Sequence, residues 1–367
     1  MTNLQLQCEG AFGAGVLSHL LLSGSESDRL HSALCLPLIT SNKTLLKKLL
    51  LDSGGLQFAL QPLGRDSAPL PLRSLYLPLL SGFLTALTKT SQTQKLHIRC
   101  SDSKKPRLLS SCPYSTATYD LSFLLDDGET LPANRDAVSG ENSSSEYFRA
   151  LLNGAFGESN LRDSIPIKDV CADTLAPVLH RLHGCRSVAA ATDGCRALSR
   201  LGEFDGSDRF EETRLGKAMV GACRFLVADL QKELEDFCVS LLQTSSSNFE
   251  KEDCKDSIEK TANQASDLDD KTQESSIVKS QKRKLADDPK VVDGGWFWRS
   301  LLPQIYWFSH TYSYSNLRRA CLSCLLGAPF SQARVAQVLK KLAQEEDCVQ
   351  TLRQDLVELV TEALSRK

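Results

Sequence analysis

The chain has 367 residues, 41% hydrophobic and 24% charged, which suits a protein of two or three globular domains. Its 43 Lys and Arg against 45 Asp and Glu give a net charge of −2, which argues against direct nucleic-acid binding through many phosphate contacts. The 13 Cys are odd in number and irregularly spaced, and no secretory signal pattern is apparent, so we expect reduced thiols in the cytoplasm or nucleus. No apolar stretch reaches the roughly 20 residues that a membrane-spanning helix needs, and we expect no membrane contact.

Residues 1–90 repeat leucine at helical spacing, in short segments separated by polar or glycine-containing turns. Ser27 or Asp28 is predicted to cap the second of these helices, and Asn42 is predicted to cap the third. Short leucine-rich helices with a period of roughly 40 residues resemble armadillo repeats, so we predict an armadillo-like segment here. A small helical bundle docked on the next domain is the alternative.

Two stretches have the composition of linkers. Residues 91–117 are rich in Ser, Lys and Pro, and their cluster Lys104-Lys105-Pro106-Arg107 fits a solvated surface. Residues 243–292 contain many Ser, Asp, Glu and Lys and almost no aromatic residues, so we expect disorder there. The triplet Lys282-Arg283-Lys284 resembles a nuclear import signal, although so short a run also arises by chance.

Between these linkers, residues 118–242 combine strand and helix signals. Leu121, Phe123 and Leu125 alternate as on a half-buried strand, and Asp127-Gly128 predicts a tight hairpin into a second strand. Helical spacing follows after N-cap candidates at Ser143 to Ser145, then a short strand around Pro166, then a helix capped at Asp173 or Thr174. The predicted order is strand, strand, helix, strand, helix.

This order and several local sequences resemble the BTB (POZ) domain family. The matching residues are Asp120, Asp127-Gly128, Ala133-Asn134-Arg135, Glu146-Tyr147-Phe148-Arg149-Ala150-Leu151-Leu152, Phe156-Gly157-Glu158-Ser159 and Ile165-Pro166-Ile167. The chain departs from the family at Asn134, where the family usually has His, and at His183-Gly184-Cys185, where it has an aromatic-rich end. The resemblance therefore implies a divergent member, in a protein that is mostly α with one small α+β domain.

The resemblance also implies a partner. BTB proteins that recruit the cullin-3 scaffold of ubiquitin ligases carry a hydrophobic residue, any residue and a glutamate after the helix that here holds Tyr147 to Leu152. The implied cullin-3 contacts are Tyr147, Phe148, Leu151, Phe156, Glu158 and His183. An exposed aromatic residue can enter an apolar groove on a partner, and a carboxylate at its rim can accept charge-assisted hydrogen bonds.

Residues 293–367 return to helical spacing and contain all three Trp of the chain. We predict a helical C-terminal domain whose aromatic residues form a core or an interface. Cys321 and Cys324 have a two-residue spacing, but no second ligand pair follows, so we expect buried thiols and no zinc site there.

His180, His183 and Cys185 are the other candidate metal cluster. We expect these side chains to belong to the helix core, with no metal and no cofactor bound. The chain has no nucleophile elbow, phosphate loop or His-Glu-x-x-His sequence, so we expect no catalysis; an enzyme with an unfamiliar site is one alternative.

An armadillo-like segment followed by a BTB domain implies a non-catalytic substrate adaptor of a cullin-3 ubiquitin ligase. In that interpretation the BTB domain binds cullin-3, and the helical repeats recruit a protein substrate, for which the resemblance implies the largest subunit of RNA polymerase II. A BTB scaffold that only self-associates is the other alternative, and the sequence leaves open whether a homodimer forms.

Overall fold

The computed structural model describes residues 7, 9–64, 75–89, 112–141, 143–154, 164–185, 195–203, 205–244, 300–327, 330–344 and 348–365. Within these ranges the chain is mostly helical and contains one three-stranded sheet. None of the helices described is long and apolar enough to cross a bilayer. Both predicted linkers lie almost wholly outside these residues. The basic clusters of the linkers lie outside them too, and so do Trp296 and Trp298.

The N-terminal helices are α1 (Ala11–Ser23), α2 (Glu26–Ile39), α3 (Lys43–Lys47, continued by a π-helical turn at Lys48–Asp52), α4 (Gly55–Leu60) and α5 (Tyr76–Lys89). Asn42 caps α3 as predicted, with its side-chain oxygen accepting from the N–H groups of Thr44 and Leu45. The predicted N-cap of α2, Ser27 or Asp28, was wrong by two or three residues. Ser25 is the N-cap, and Asp28 completes a reciprocal capping box at the third helical position.

The middle of the chain holds α6 (Pro113–Thr116), β1 (Leu121–Leu124), β2 (Thr130–Ala133), α7 (Arg135–Ser139), α8 (Glu146–Asn153), β3 (Ser164–Pro166), α9 (Ala172–Leu182), α10 (Arg196–Ser199), α11 (Arg214–Arg224) and α12 (Ala228–Thr244). We call the described residues between 112 and 244 the sheet unit. Its order of strand, strand, helix, strand, helix from β1 onwards is the predicted one, with α7 added after β2.

The sheet has the strand order β2-β1-β3. β1 and β2 are antiparallel with Phe123 opposite Leu131, and β1 and β3 are parallel with Phe123 beside Ile165. The predicted hairpin is confirmed: Gly128 has a φ of 83°, and the N–H of Leu125 donates to the carbonyl of Glu129 at 2.9 Å.

Alternation along β1 decides which side of the sheet faces the helices. Leu121, Phe123 and Leu125 are buried, whereas Leu124 points away and is 38% exposed. The ring of Phe123 lies 5.0 Å from that of Phe148, so α8 packs on the buried face. α9 packs on α11, and its N-cap is Cys171, without a side-chain cap, rather than the predicted Asp173 or Thr174.

The C-terminal helices are α13 (Leu302–Thr311), α14 (Ser315–Gly327), α15 (Gln332–Leu342) and α16 (Val349–Ser365). They contact both earlier parts of the chain: α14 packs on α12 and α5, and α15 and α16 also pack on α5. The Tyr314 hydroxyl donates to the carbonyl of Met219 at 2.8 Å, and Arg353 donates to the carbonyls of Gln61 and Leu63 at 2.7 and 2.5 Å. The C-terminal helices thus join the sheet unit to the N-terminal helices.

Candidate functional site

The predicted partner-binding helix is α8, and one buried hydroxyl fixes its start. Ser145 caps the helix by accepting from the N–H of Phe148 at 3.2 Å, and its Oγ donates to the carbonyl of Phe225 at 2.7 Å. Glu146, in the first turn, favours the helix through its interaction with the macrodipole. Along this helix Tyr147 and Leu151 are half-buried, so part of each side chain faces solvent.

Phe148, one of the residues predicted to contact a partner, faces the core of the sheet unit. Its side chain is fully buried, and its ring lies 5.1 Å from that of Phe225 and parallel to it. Helical spacing puts Phe148 one position after Tyr147, on the face that packs against the sheet, so its role is to hold α8 in place. The expected contacts Phe156 and Glu158 lie outside the described residues.

Beside Tyr147 the structure adds a residue that the sequence did not single out. The Tyr147 ring lies 5.2 Å from that of Phe225, and the next residue, Leu226, is 52% exposed.

The backbone of Leu226 is left-handed, with a φ of 53° at the end of α11. The N–H of Val227 donates to the carbonyl of Ala222, and the N–H of Leu226 donates to the carbonyl of Cys223. This is a Schellman motif with leucine where glycine is usual. An exposed apolar side chain on strained backbone is unfavourable for folding alone, and such strain tends to persist at functional positions.

His183 lies at the C-terminus of α9 and has different neighbours from Tyr147. Its Nε2 accepts from the N–H of Asn134 at 3.0 Å, and its Nδ1 lies 2.7 Å from the carbonyl of Leu179, to which it donates in the neutral ring. Its ring makes edge contacts with Tyr114 and Tyr119. Burial lowers the pKa of His183 below its ordinary value, because the charged ring would lose water that the protein does not replace.

A second cluster lies at the same end of α9. Nδ1 of His180 is 3.3 Å from Sγ of Cys112, 3.6 Å from Sγ of Cys185 and 3.2 Å from Sγ of Cys195. The three thiols are buried, and Sγ of Cys112 lies 3.4 Å from Sγ of Cys185. The hydrogen bond between Cys185 and Cys195 lowers the pKa of the Cys195 thiol below its ordinary value and raises the pKa of the Cys185 thiol.

Only two members of this cluster, His180 and Cys185, were among the predicted metal candidates. The third candidate, His183, lies outside it and uses its ring nitrogens elsewhere. Cys112 and Cys195 were missed because they are 68 and 15 residues from His180, and metal motifs are usually recognised by closely spaced ligand pairs. One sequence signal could have indicated the cluster: Cys171, Cys185 and Cys195 lie within 15 residues of His180.

The described residues therefore offer a partner-facing helix, an exposed Leu226 beside it and a thiol–histidine cluster, without an arrangement that we recognise as catalytic. In a comparison with known proteins, the chain is 38% identical over 242 residues to a curated mouse (Mus musculus) protein. The chain is similar to armadillo repeat-containing protein 5. The matched part is 64% of this chain but 25% of the relative, so the chain spans about a quarter of that protein's length.

The similarity to armadillo repeat-containing protein 5 confirms the predicted resemblance to an armadillo repeat protein. The helical architecture of the described residues is compatible with a helical repeat protein. No protein-family model matches the chain, and no solved structure matches it.

Proposed function

We propose that the chain is a non-catalytic substrate adaptor of a cullin-3 ubiquitin ligase, with a BTB domain at residues 118–242 that binds cullin-3. The observation that carries the proposal is the sheet unit itself. An antiparallel hairpin, a helix, a strand parallel to the first and a further helix occur in the order that the BTB resemblance requires. The similarity to armadillo repeat-containing protein 5 supports the other half of the proposal, a helical segment that binds protein.

The proposed cullin-3 surface is centred on α8. Tyr147 and Leu151 are four residues apart, hence on one side of the helix, and both are half-buried. Leu226 extends the apolar surface beside Tyr147, because its neighbour Phe225 contacts the Tyr147 ring. Phe156 and Glu158, which the BTB resemblance implies as contacts, follow α8 in the sequence. Apolar anchors with a carboxylate at the rim are the usual composition of a compact protein interface.

His183 belongs to this proposal less directly. Its ring is held between Asn134, Tyr114 and Tyr119, so its contribution would be to fix the end of α9 rather than to supply an apolar contact. Tyr119 is 40% exposed and provides an aromatic surface beside it. The family has aromatic residues at the position of His183, and here the tyrosines take their place in the proposal.

The proposed substrate side is the N-terminal helical segment. α1 is apolar around most of its circumference, and Phe12 and Leu22 on it are 87% and 61% exposed. A helix with apolar residues on more than one face is usually covered by another element or a partner. The candidate substrate is the largest subunit of RNA polymerase II, as the sequence resemblance implies.

The proposed mechanism is proximity. An adaptor that holds a substrate and cullin-3 together raises the effective concentration of substrate lysines near the charged ubiquitin carrier, and it needs no active site of its own. The C-terminal helices favour this mechanism because they pack against both the sheet unit and α5. A stiff connection restricts the positions that a bound substrate can reach.

The test is co-purification of the full chain with cullin-3. Phe156→Ala with Glu158→Ala should abolish binding, because the change removes an apolar anchor and a charged acceptor together. The matched control is Leu124→Ala with Glu129→Ala, which removes one exposed apolar and one acidic side chain at the hairpin, away from α8. Thermal unfolding of both variants would establish that each is folded.

Unchanged binding by a folded Phe156/Glu158 double variant would contradict the proposed cullin-3 surface. Molar mass from size-exclusion chromatography with light scattering distinguishes the alternative scaffold function. A self-associating scaffold would form a stable dimer whose mass does not change when cullin-3 is added. An adaptor would instead form a larger complex containing cullin-3.

A further inference from the structure

We infer that Cys112, His180, Cys185 and Cys195 bind one structural zinc ion. The inference is independent of the proposed cullin-3 function, because it rests on a cluster that contains neither the side chains of α8 nor those of the N-terminal helices. The sequence groups His180, Cys185 and His183, whereas in the structure Cys112 and Cys195 complete the cluster with His180 and Cys185.

The geometry fits a tetrahedral ion. Zinc bonds of about 2.3 Å to sulfur and about 2.0 Å to nitrogen place tetrahedral ligand atoms about 3.5–3.8 Å apart. The measured separations from Nδ1 of His180 to the three sulfurs are 3.2, 3.3 and 3.6 Å, and no two of the four atoms are more than 4.8 Å apart. Shifts of about 1 Å or less would admit the ion at the centre.

Hydrogen bonding alone explains this arrangement poorly. A neutral imidazole nitrogen has one lone pair and accepts one hydrogen bond, so Nδ1 of His180 cannot satisfy three thiols at once. A disulfide is no explanation either, since Sγ of Cys112 lies 3.4 Å from Sγ of Cys185, well beyond a bond of about 2.05 Å. A cation at the centre would interact favourably with all four groups.

The positions of the ligands are fixed by the elements around them. Two of the cysteines begin short helices: Cys112 is the N-cap of α6 and Cys195 is the N-cap of α10, and neither side chain makes a capping hydrogen bond. The Tyr114 ring packs on that of His180, with centroids 4.3 Å apart, and its hydroxyl donates to the carbonyl of Pro132 at 2.7 Å. Such contacts fix the orientation of ligands around a metal.

The donor set selects the metal and its role. Thiolates and an imidazole in a tetrahedral arrangement favour zinc over magnesium or calcium, which prefer oxygen ligands. Four protein ligands leave no position for water or substrate, so the ion would be structural rather than catalytic. It would link the segment that enters β1, the C-terminus of α9 and the start of α10.

The experiment measures metal content in the full chain purified without added metal. We expect one zinc per chain in the wild type and loss of that zinc in Cys112→Ser and in Cys195→Ser. The control is Cys171→Ser, a partly exposed thiol in the same unit whose sulfur lies near Thr174 and outside the cluster; this variant should keep its zinc. Full zinc retention by folded Cys112→Ser and Cys195→Ser would overturn the inference.

A second measurement covers the case in which those variants do not fold. Cobalt replacing zinc in the wild-type chain should produce the visible absorption of a tetrahedral site and sulfur-to-cobalt charge-transfer bands, and zinc should reverse both. A wild-type chain that holds no zinc and gives no such spectrum would overturn the inference. Loss of cullin-3 binding with zinc retained would count against the proposed function alone.

Discussion

The hydroxyl of Ser145 links two helices that are far apart in the sequence. It accepts from the N–H of Phe148 within α8 and donates to the carbonyl of Phe225 at the end of α11, at 3.2 and 2.7 Å. The residue is fully buried, and its backbone also pairs with that of Val227 in an isolated bridge. The position of α8 therefore depends on α11 as well as on the sheet.

Ser145→Ala should lower the free energy of unfolding by about 2–4 kcal/mol, since it removes an N-cap and leaves a buried carbonyl without its donor. Ser331 is the matched control, because it caps α15 at an exposed position. Ser331→Ala should cost about 1 kcal/mol. Chemical denaturation measures both, and equal losses would mean that the bond to Phe225 contributes nothing.

Leu226→Gly should stabilise the fold and weaken cullin-3 binding. Removing the strain of the left-handed backbone should raise the free energy of unfolding by roughly 1–2 kcal/mol. The greater freedom of glycine in the unfolded chain should lower it by about 0.5–1 kcal/mol. Leu226→Ala keeps the strained backbone and loses only the side chain, so it should weaken binding without the gain in stability. If neither variant alters the measured affinity for cullin-3, Leu226 lies outside the interface.

Gly221 on α11 provides the close approach of α9. A Cβ built at this position would lie 2.3 Å from the carbonyl oxygen of Thr174. Gly221→Ala should therefore lower the free energy of unfolding by about 1–3 kcal/mol, because the two helices must move apart. Gly15→Ala is the control: it lies within α1 with open space around it and should stabilise the fold by up to about 1 kcal/mol. Destabilisation of both to the same extent would contradict this explanation.

Arg353 connects α16 to the end of α4. Its guanidinium donates to the carbonyls of Gln61 and Leu63, and hydrogen bonds to charged groups contribute about 1.5–3 kcal/mol each, so Arg353→Ala should destabilise the fold measurably. Arg319, whose distance to Glu358 is 3.9 Å at an exposed site, is the control; Arg319→Ala should cost less than about 1 kcal/mol. Melting temperatures of the two variants test this prediction, and Arg353→Ala should melt at the lower temperature.

Removing zinc with a chelator should loosen the segments that the ion links. The amides of α6 and α10, the short helices that begin at Cys112 and Cys195, should exchange hydrogen faster after chelation, whereas the amide of Phe148 within α8 should not. Hydrogen exchange followed by mass spectrometry makes this comparison. Uniform acceleration across the chain would indicate global unfolding instead.

The elements of the sheet unit were predictable because their signals are local. Alternation through Leu121, Phe123 and Leu125 defines a strand, and Asp127-Gly128 defines its turn. Helix starts were less predictable, since several Ser and Asp compete for one cap. At α2 the reciprocal pair of Ser25 and Asp28 outcompetes Ser27, which lies within the helix.

The candidate site was less predictable, because it depends on contacts between distant residues. Helical spacing alone does not reveal that Phe148 is sealed against Phe225, which is 77 positions further on, or that Cys112 reaches His180. The exposed Leu226 was equally hidden, since its left-handed conformation occupies a position that usually belongs to glycine.

The packing of α14, α15 and α16 on α5 has a consequence for shortened forms of the chain. α5 presents Tyr76, Leu80, Leu84 and Leu87 as buried side chains. A product that stops before residue 300 would leave much of this surface open to water, and exposed apolar surface of that kind promotes aggregation and removal by cellular quality control. A premature stop late in the coding sequence would then lower the amount of protein in the cell, even where every residue of the proposed cullin-3 surface is still translated.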